Sequence, residues 1–341
     1  MKKLFFYSAA VLAMVFAASC QKETVSSAKE GDLVEVTFQV AMPETIGTKV
    51  IIGQNPVPDF NKKLTFAVYR NGEYLPNAIA SVTKDFGTGT TATVSVTLVK
   101  GQSYDFLFWA DYANSGYYTV NPGAKTATVN YDVIATNNNV NADAWYHVEK
   151  SFKVTDNTSL NNNGITLRRP LAQINVGTQD YDTAVAAGVT VTKSQTVIKG
   201  VAKTLDLFTG EGKDAVDITL APAEIPYSDG TTLTAYYDPK TQTGTEYQYM
   251  SVSYVLPMAT ANPNSTVDYS IYFYENGNAT QVNDIITVNS LPIRKNYRTN
   301  LINASVLTEE FAFNIVIDPM FDGELVDENF DATIDEEIPY K

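Results

Sequence analysis

The chain has one cysteine, Cys20, and one histidine, His147, in 341 residues. Without a second thiol, no internal disulfide, thiolate metal site or cysteine nucleophile can form in the body of the protein. A single imidazole excludes multi-histidine zinc sites and makes any Ser-His-Asp chemistry depend on His147. That residue lies in the strand-like stretch Trp145-Tyr146-His147-Val148, and no G-x-S-x-G elbow accompanies it, so it reads as a packed or surface histidine. Basic residues are also scarce. The chain carries 24 Lys and Arg against 38 Asp and Glu, a formal net charge of −14, and nucleic acid is excluded as a partner because phosphate binding needs a basic face. No apolar run reaches the roughly 18 residues of a membrane-spanning helix. Helical heptads of Ala, Leu, Glu and Lys are missing too, and nothing in the chain calls for a cofactor.

The longest apolar run is at the start. Lys2 and Lys3 precede Leu4 to Phe16, broken only by Ser8, and Ala17-Ala18-Ser19-Cys20 closes the segment. This is the tripartite pattern of a secretory signal peptide, expected over residues 1–19. The four closing residues resemble a bacterial lipobox, with Ala17 in place of the commoner Leu. The resemblance implies cleavage before Cys20, acylation of its thiol and anchoring to a membrane, since two or more acyl chains hold stably where one does not. Residues 20–32 are polar and read as a tether.

After the tether, β-forming residues dominate: 21 Tyr, 16 Phe and abundant Thr and Val. Val34, Val36, Phe38 and Val40 alternate with polar residues, the pattern of a half-buried strand. Leu64 to Tyr69 runs into Asn71-Gly72, a hairpin signal. Ala92 to Leu98 alternates strictly, Gly101 breaks the pattern, and Tyr104 to Trp109 follows; these read as adjacent antiparallel strands. Turns are expected at Asn121-Pro122-Gly123, Asn161 to Gly164 and Glu275 to Asn278. Strands are expected at 145–146, 152–154, 165–167, 189–198, 204–208, 216–220, 232–237, 248–256, 267–274, 285–288, 297–306 and 311–317. Asp180 to Ala187, stopped by Gly188, is the best helix candidate. Many short strands with almost no helical periodicity predict an all-β fold of two tandem antiparallel β-sandwiches with Greek-key-like connections. The expected division is a first sandwich over 33–168, a second over 169–320, and a tail over 321–341 with eight acids and one lysine.

Residue chemistry adds little. Asp318 to Glu324 sets carboxylates around Gly323 without the EF-hand spacing, and reads as a solvated acidic segment rather than a calcium site. Thirty-eight acids make glycosidase-like pairs easy to imagine, so they carry no signal. Tyr117-Tyr118, Tyr236-Tyr237 and Tyr247-x-Tyr249 read as sheet surface and core, with sugar stacking the alternative. Arg168-Arg169 and Arg294-Lys295 suit salt-bridge or turn roles. No catalytic residue and no metal ligand stands out.

Several stretches, taken in order, resemble the fimbrillin-like, type V pilin-related lipoproteins of Bacteroides-type bacteria. They are the lipobox with Cys20, the strand Val34–Val40, Phe108-Trp109-Ala110-Asp111, Leu167 to Val176 (LRRPLAQINV), and Ile293 to Leu301 (IRKNYRTNL) followed by Leu307-Thr308. The match in order covers most of residues 20–320 and is closest to a branch beside the true pilins. The resemblance implies two transthyretin-like sandwiches, a lipid-anchored outer-membrane location, and other fimbrial subunits or surface ligands as partners. In that family a protease cuts after the first strand, usually at an Arg, and a strand of another subunit fills the opened groove. Here the comparable stretch, Thr45 to Asn55, offers Lys49 and no Arg. The resemblance therefore makes Lys49 the candidate cleavage site and Val34, Val36, Phe38 and Val40 the candidate displaceable strand. Phe311, Phe313, Ile315 and Ile317, which share one face, form the candidate partner strand. The expected role is a non-enzymatic fimbrial subunit or adhesin. A glycan-binding surface lipoprotein and, more remotely, a β-sandwich hydrolase are the alternatives.

Overall fold

The structure is a computed structural model that describes residues 29–42, 61–78, 80–84, 86, 89–160, 162–230, 232–238, 243–259, 265–275, 286–303, 306–307 and 313–318. Cys20, Lys49, Phe311, the turn residues Asn276 to Asn278 and the tail 321–341 lie outside them. The fold is an all-β sandwich architecture. In chain order the first strands are β1 (Leu33–Ala41), β2 (Lys62–Arg70), β3 (Glu73–Tyr74), β4 (Ala80–Lys84), β5 (Thr91–Val99), β6 (Ser103–Tyr112), β7 (Tyr118–Asn121) and β8 (Thr126–Val129). A short helix α1 (Tyr131–Ile134), β9 (Ala144–Lys153), α2 (Asp156–Leu160) and β10 (Asn162–Thr166) follow. Beyond residue 168 come β11 (Ala172–Thr178), α3 (Tyr181–Ala186), β12 (Val191–Asp206), β13 (Gly212–Thr219) and β14 (Ala223–Glu224). The last strands are β15 (Thr232–Asp238), β16 (Thr243–Val255), β17 (Ser265–Glu275), β18 (Ile286–Ile293), β19 (Arg298–Asn303) and β20 (Asn314–Asp318). Among the described residues no helix is long and apolar enough to cross a membrane.

The first sandwich faces a four-stranded sheet, β10-β1-β5-β4, with a second, β3-β2-β6-β9. Its core comes from period-2 alternation on both sides: Val36, Phe38 and Val40 of β1 and Val94, Val96 and Leu98 of β5 meet Leu64, Val68, Phe106 and Phe108 of β2 and β6. The Asn71-Gly72 signal is a tight hairpin between β2 and β3, with φ of +51° and +80°, both positive as a type I′ turn requires. Two expectations need correction. β5 and β6 are not neighbours; the connection at Gly101 crosses from one sheet to the other, because both strands are apolar on the faces that meet in the core. Residues 162–164 do not turn but belong to β10, which runs parallel to β1.

The second sandwich pairs the sheet β18-β17-β12-β8-β7, with β13 and β14 also on β12, against the sheet β15-β16-β11-β19-β20. The segments 189–198 and 204–208 merge into the single long β12. Its register shifts between Ile198 and Val201, and Gly200 (φ +83°) donates its N–H to Asp217 Oδ1 at 3.1 Å. The hairpin β7–β8, which precedes residue 168, hydrogen-bonds onto β12, with Thr128 opposite Thr204. The loop after α1 goes further and enters the space between the two sheets. Asn137 Nδ2 donates to Ser194 Oγ of β12 and Ser251 Oγ of β16, both at 3.0 Å. Its Oδ1 accepts from Thr196 Oγ1 at 3.1 Å and Ser253 Oγ at 3.2 Å.

The sheet β15-β16-β11-β19-β20 curls until Cα atoms of its end strands β15 and β20 come within 8 Å of each other. Its concave face holds Leu233, Ala235, Tyr247, Tyr249, Val252 and Ile302, all buried. Several polar groups inside are paired. Tyr249 Oη donates to Asn175 Oδ1, Tyr247 Oη to Asn300 Oδ1 and Asn175 Nδ2 to Asn300 Oδ1, each at 2.9 Å. Arg298 Nη2 meets Asp318 Oδ2 at 2.5 Å. Tyr247, Tyr249 and Tyr118 are therefore interior residues, not exposed sugar platforms.

Candidate strand-accepting groove

β1 is the second strand of its sheet, and its alternating sequence explains its place. Val36, Phe38 and Val40 are fully buried, Val34 packs against the same core, and Glu35 and Gln39 on the other face are exposed. β1 runs antiparallel to β5 along its whole length, from Leu33 opposite Val99 to Ala41 opposite Thr91. Its second half also pairs in parallel with β10, from Thr37 opposite Asn162 to Ala41 opposite Thr166. Side chains reinforce the middle: Thr37 Oγ1 and Ser95 Oγ are 2.9 Å apart, and Asn163 Nδ2 donates to the Thr37 carbonyl at 3.0 Å. Backbone bonds continue past the C-terminal end, where Met42 N donates to Thr90 O and Leu167 N to Ala41 O, both at 2.8 Å.

Phe38 is the anchor. Its ring centroid lies 4.8 Å from that of Phe106, 5.3 Å from Phe152, 5.4 Å from Phe108 and 6.3 Å from Phe66. Those rings belong to β6, β9 and β2, so the facing sheet builds an aromatic box around the centre of β1. Tilted and edge-on geometries of this kind add to the burial of the ring. Taking β1 away would expose unpaired backbone groups on both β5 and β10, a row of apolar seats for alternate side chains, and the empty box. An extended segment of matching pattern satisfies all three at once.

The other sequence-selected residues sit elsewhere. Ile315 and Ile317 are buried on β20, the end strand of the curled sheet, and Phe313 is buried just before it; Thr299 to Ile302 of β19 pair antiparallel with Asn314 to Ile317. The structure thus keeps β20 and β1 in different sheets of different sandwiches. His147 lies on β9, its Nε2 3.0 Å from Glu149 Oε2, with both side chains about a third exposed. Among the described residues no group of three or more His, Cys, Asp or Glu side chains is placed to hold a metal ion.

The junction beside the first core was only partly visible in sequence. Arg169 Nε meets the buried Asp143 Oδ2 at 2.7 Å, and its guanidinium carbon lies 5.1 Å from the Trp145 ring centroid. The Arg168-Arg169 pair marked this place, but Asp143 carried no signal, since it is one of many acids until the fold brings it to Arg169. Nearby, Trp109 Nε1 donates to Asp111 Oδ2 at 3.0 Å, and Lys63 Nζ approaches Asp111 Oδ1 at 3.3 Å. Burial raises the Asp111 carboxyl above its ordinary value, against the opposing pull of Trp109 and Lys63. Asn137 was also unmarked, as one asparagine in a polar loop.

Among curated proteins no sequence matches this chain. Solved structures that this chain resembles include the tip fimbrial protein Mfa3 from Porphyromonas gingivalis, C-terminally truncated. It is 12% identical with a TM-score of 0.46, and the alignment covers 83% of this chain and 98% of that one. A fimbrial assembly protein from Parabacteroides distasonis is 12% identical with a TM-score of 0.39, covering 86% of this chain and 98% of its own. At such identities and TM-scores these likenesses transfer no function. The sequence profile is more direct: residues 28–336 match the family of unknown function DUF6562, and the chain belongs to that family.

Proposed function

We propose that this protein is a non-enzymatic, lipid-anchored surface protein that acts as a fimbrial subunit or adhesin and joins its neighbours by strand exchange. The observation that carries the reading is the position of β1. It is a strand held between two others, it carries a fully buried aromatic ring of the first core, and it is followed by a connection that contains Lys49. Acylated Cys20 and β1 lie on the same side of that lysine, so one cut would separate lipid and strand from the body and open the groove. Partners are then neighbouring subunits or surface ligands.

The test is made on protein taken from cells and on protein trimmed in vitro. Mass spectrometry is expected to find an acylated N-terminal Cys20 in one population and a chain starting at Val50 in another. Trimmed protein is expected to form SDS-resistant ladders. An unmodified Cys20 together with trimmed protein that stays monomeric would overturn the proposal. A second reading, glycan binding, draws on the half-buried Tyr181 and Tyr227, whose rings meet edge to face at 4.9 Å beside Gln248. A glycan array in which Tyr181→Ala changes no signal would remove it.

A further inference from the structure

Strand exchange needs an acceptor that distinguishes one strand from another, because backbone pairing alone accepts any sequence. Resting on the strand-exchange reading above, we infer that the aromatic box around Phe38 is the selectivity pocket of the groove. Its occupant is an extended segment of another protein chain that runs antiparallel to β5 and places a phenylalanine at the position of Phe38.

The geometry separates this seat from its neighbours. Val36 and Val40 are equally buried but their side chains are small, so truncating either one empties less volume than truncating Phe38. The Phe38 seat is bounded by four rings from three strands of the facing sheet, two of which, Phe106 and Phe108, are themselves fully buried. A leucine there leaves the rings without an edge-to-face partner, and an alanine leaves a void that rigid rings cannot fill. The register is set as well. Phe38 lies opposite Val94 on β5 and Asn163 on β10, and both the Thr37–Ser95 contact and the Asn163–Thr37 bond act one residue before it. A strand slipped by one residue would turn a polar side chain into the box. The occupant is thus specified by an aromatic ring flanked at i−2 and i+2 by small branched residues.

The experiment uses the full chain with a single site-specific protease sequence placed directly after Lys49, cut after folding and checked by mass. Fluorescent peptides covering Leu33 to Met42 are added in excess, and retention is read by anisotropy and on native gels. The peptides carry the native sequence, Phe38→Leu, Phe38→Ala or Val36→Ala. The native peptide is expected to displace β1. Phe38→Leu should weaken retention about tenfold and Phe38→Ala about a hundredfold, while Val36→Ala costs clearly less than Phe38→Ala. If all four peptides are retained alike, the groove exists but the box does not select, and the inference fails alone. If none is retained by fully cut protein, the groove reading fails and takes the inference with it.

Discussion

Asn137 offers the sharpest test of how the second sandwich is held together. It is 1% exposed, and its amide makes four side-chain hydrogen bonds that join β12 of one sheet to β16 of the other. Replacing it with alanine removes both donors and the shared acceptor at once. A typical buried hydrogen bond contributes about 1 kcal/mol net, and a stranded buried group costs about 1–3 kcal/mol. Some of that loss is recovered. Ser194 Oγ keeps its bond to the Met250 carbonyl at 2.9 Å, and Thr196 Oγ1 and Ser253 Oγ are 3.3 Å apart and can pair. With Ser251 losing this amide and the cavity unfilled, Asn137→Ala should destabilise by about 3–5 kcal/mol, near the upper end for point substitutions. The assay is urea unfolding followed by fluorescence, with Asn139→Ala as the control. Asn139 sits two residues along the same loop and is only part-buried, donating to Tyr117 Oη at 3.0 Å, so its loss should cost about 1 kcal/mol. A double-mutant cycle between Asn137→Ala and Ser194→Ala should give a coupling of at least about 1 kcal/mol. Equal effects of the two asparagine substitutions, or a coupling near zero, would refute the idea that this loop clamps the sheets.

Three further outcomes are expected. Asp318→Ala should cost about 3–5 kcal/mol in urea or thermal unfolding, because it leaves the buried Arg298 guanidinium without its carboxylate. Asp318→Asn should cost less. Gly177→Ala should destabilise by about 2–3 kcal/mol or prevent folding, since a Cβ would lie 1.9 Å from Tyr247 Cδ2 and that ring is fixed through its hydroxyl to Asn300; a circular-dichroism melt that matches wild type would contradict this. Asp111, whose carboxyl is raised above an ordinary value of 3.8, binds its proton more tightly in the folded state than in the unfolded chain. Its contribution is therefore most favourable below that ordinary value and declines as pH rises through the raised one. Asp111→Asn should flatten this part of the pH dependence of the urea midpoint, while the Trp109 bond survives. A variant with the same slope as wild type would show that burial does not perturb Asp111.

Local rules made much of the fold legible. The alternation of Val34 to Val40 placed β1 and its buried face, and Asn71-Gly72 placed a hairpin whose backbone needs positive φ twice. Tyr181–Ala186 is helical where Asp180 to Ala187 suggested it. Those features depend on neighbours in sequence, so the sequence shows them. Errors arose where partners are distant. Alternation says which face of a strand is buried but not which strand lies beside it, so β5 and β6 looked like neighbours and the start of the parallel partner of β1, residues 162–164, looked like a turn. Nothing local marked the polar residues Asn137, Asp143 and Asn300 as buried, because the distant partners that satisfy them are brought together only by the fold.

The sequence by itself determined the all-β class, the exclusion of thiol chemistry in the body, and the apolar face of β1. Tertiary structure alone decided that β1 lies between β5 and β10, that four phenylalanines from the facing sheet close around Phe38, and that a loop preceding residue 168 clamps the sheets that follow it. The reason is physical. Periodicity and turn chemistry act over a few residues and are written locally, whereas strand order, ring clusters and buried amide networks depend on which distant segments the chain packs together.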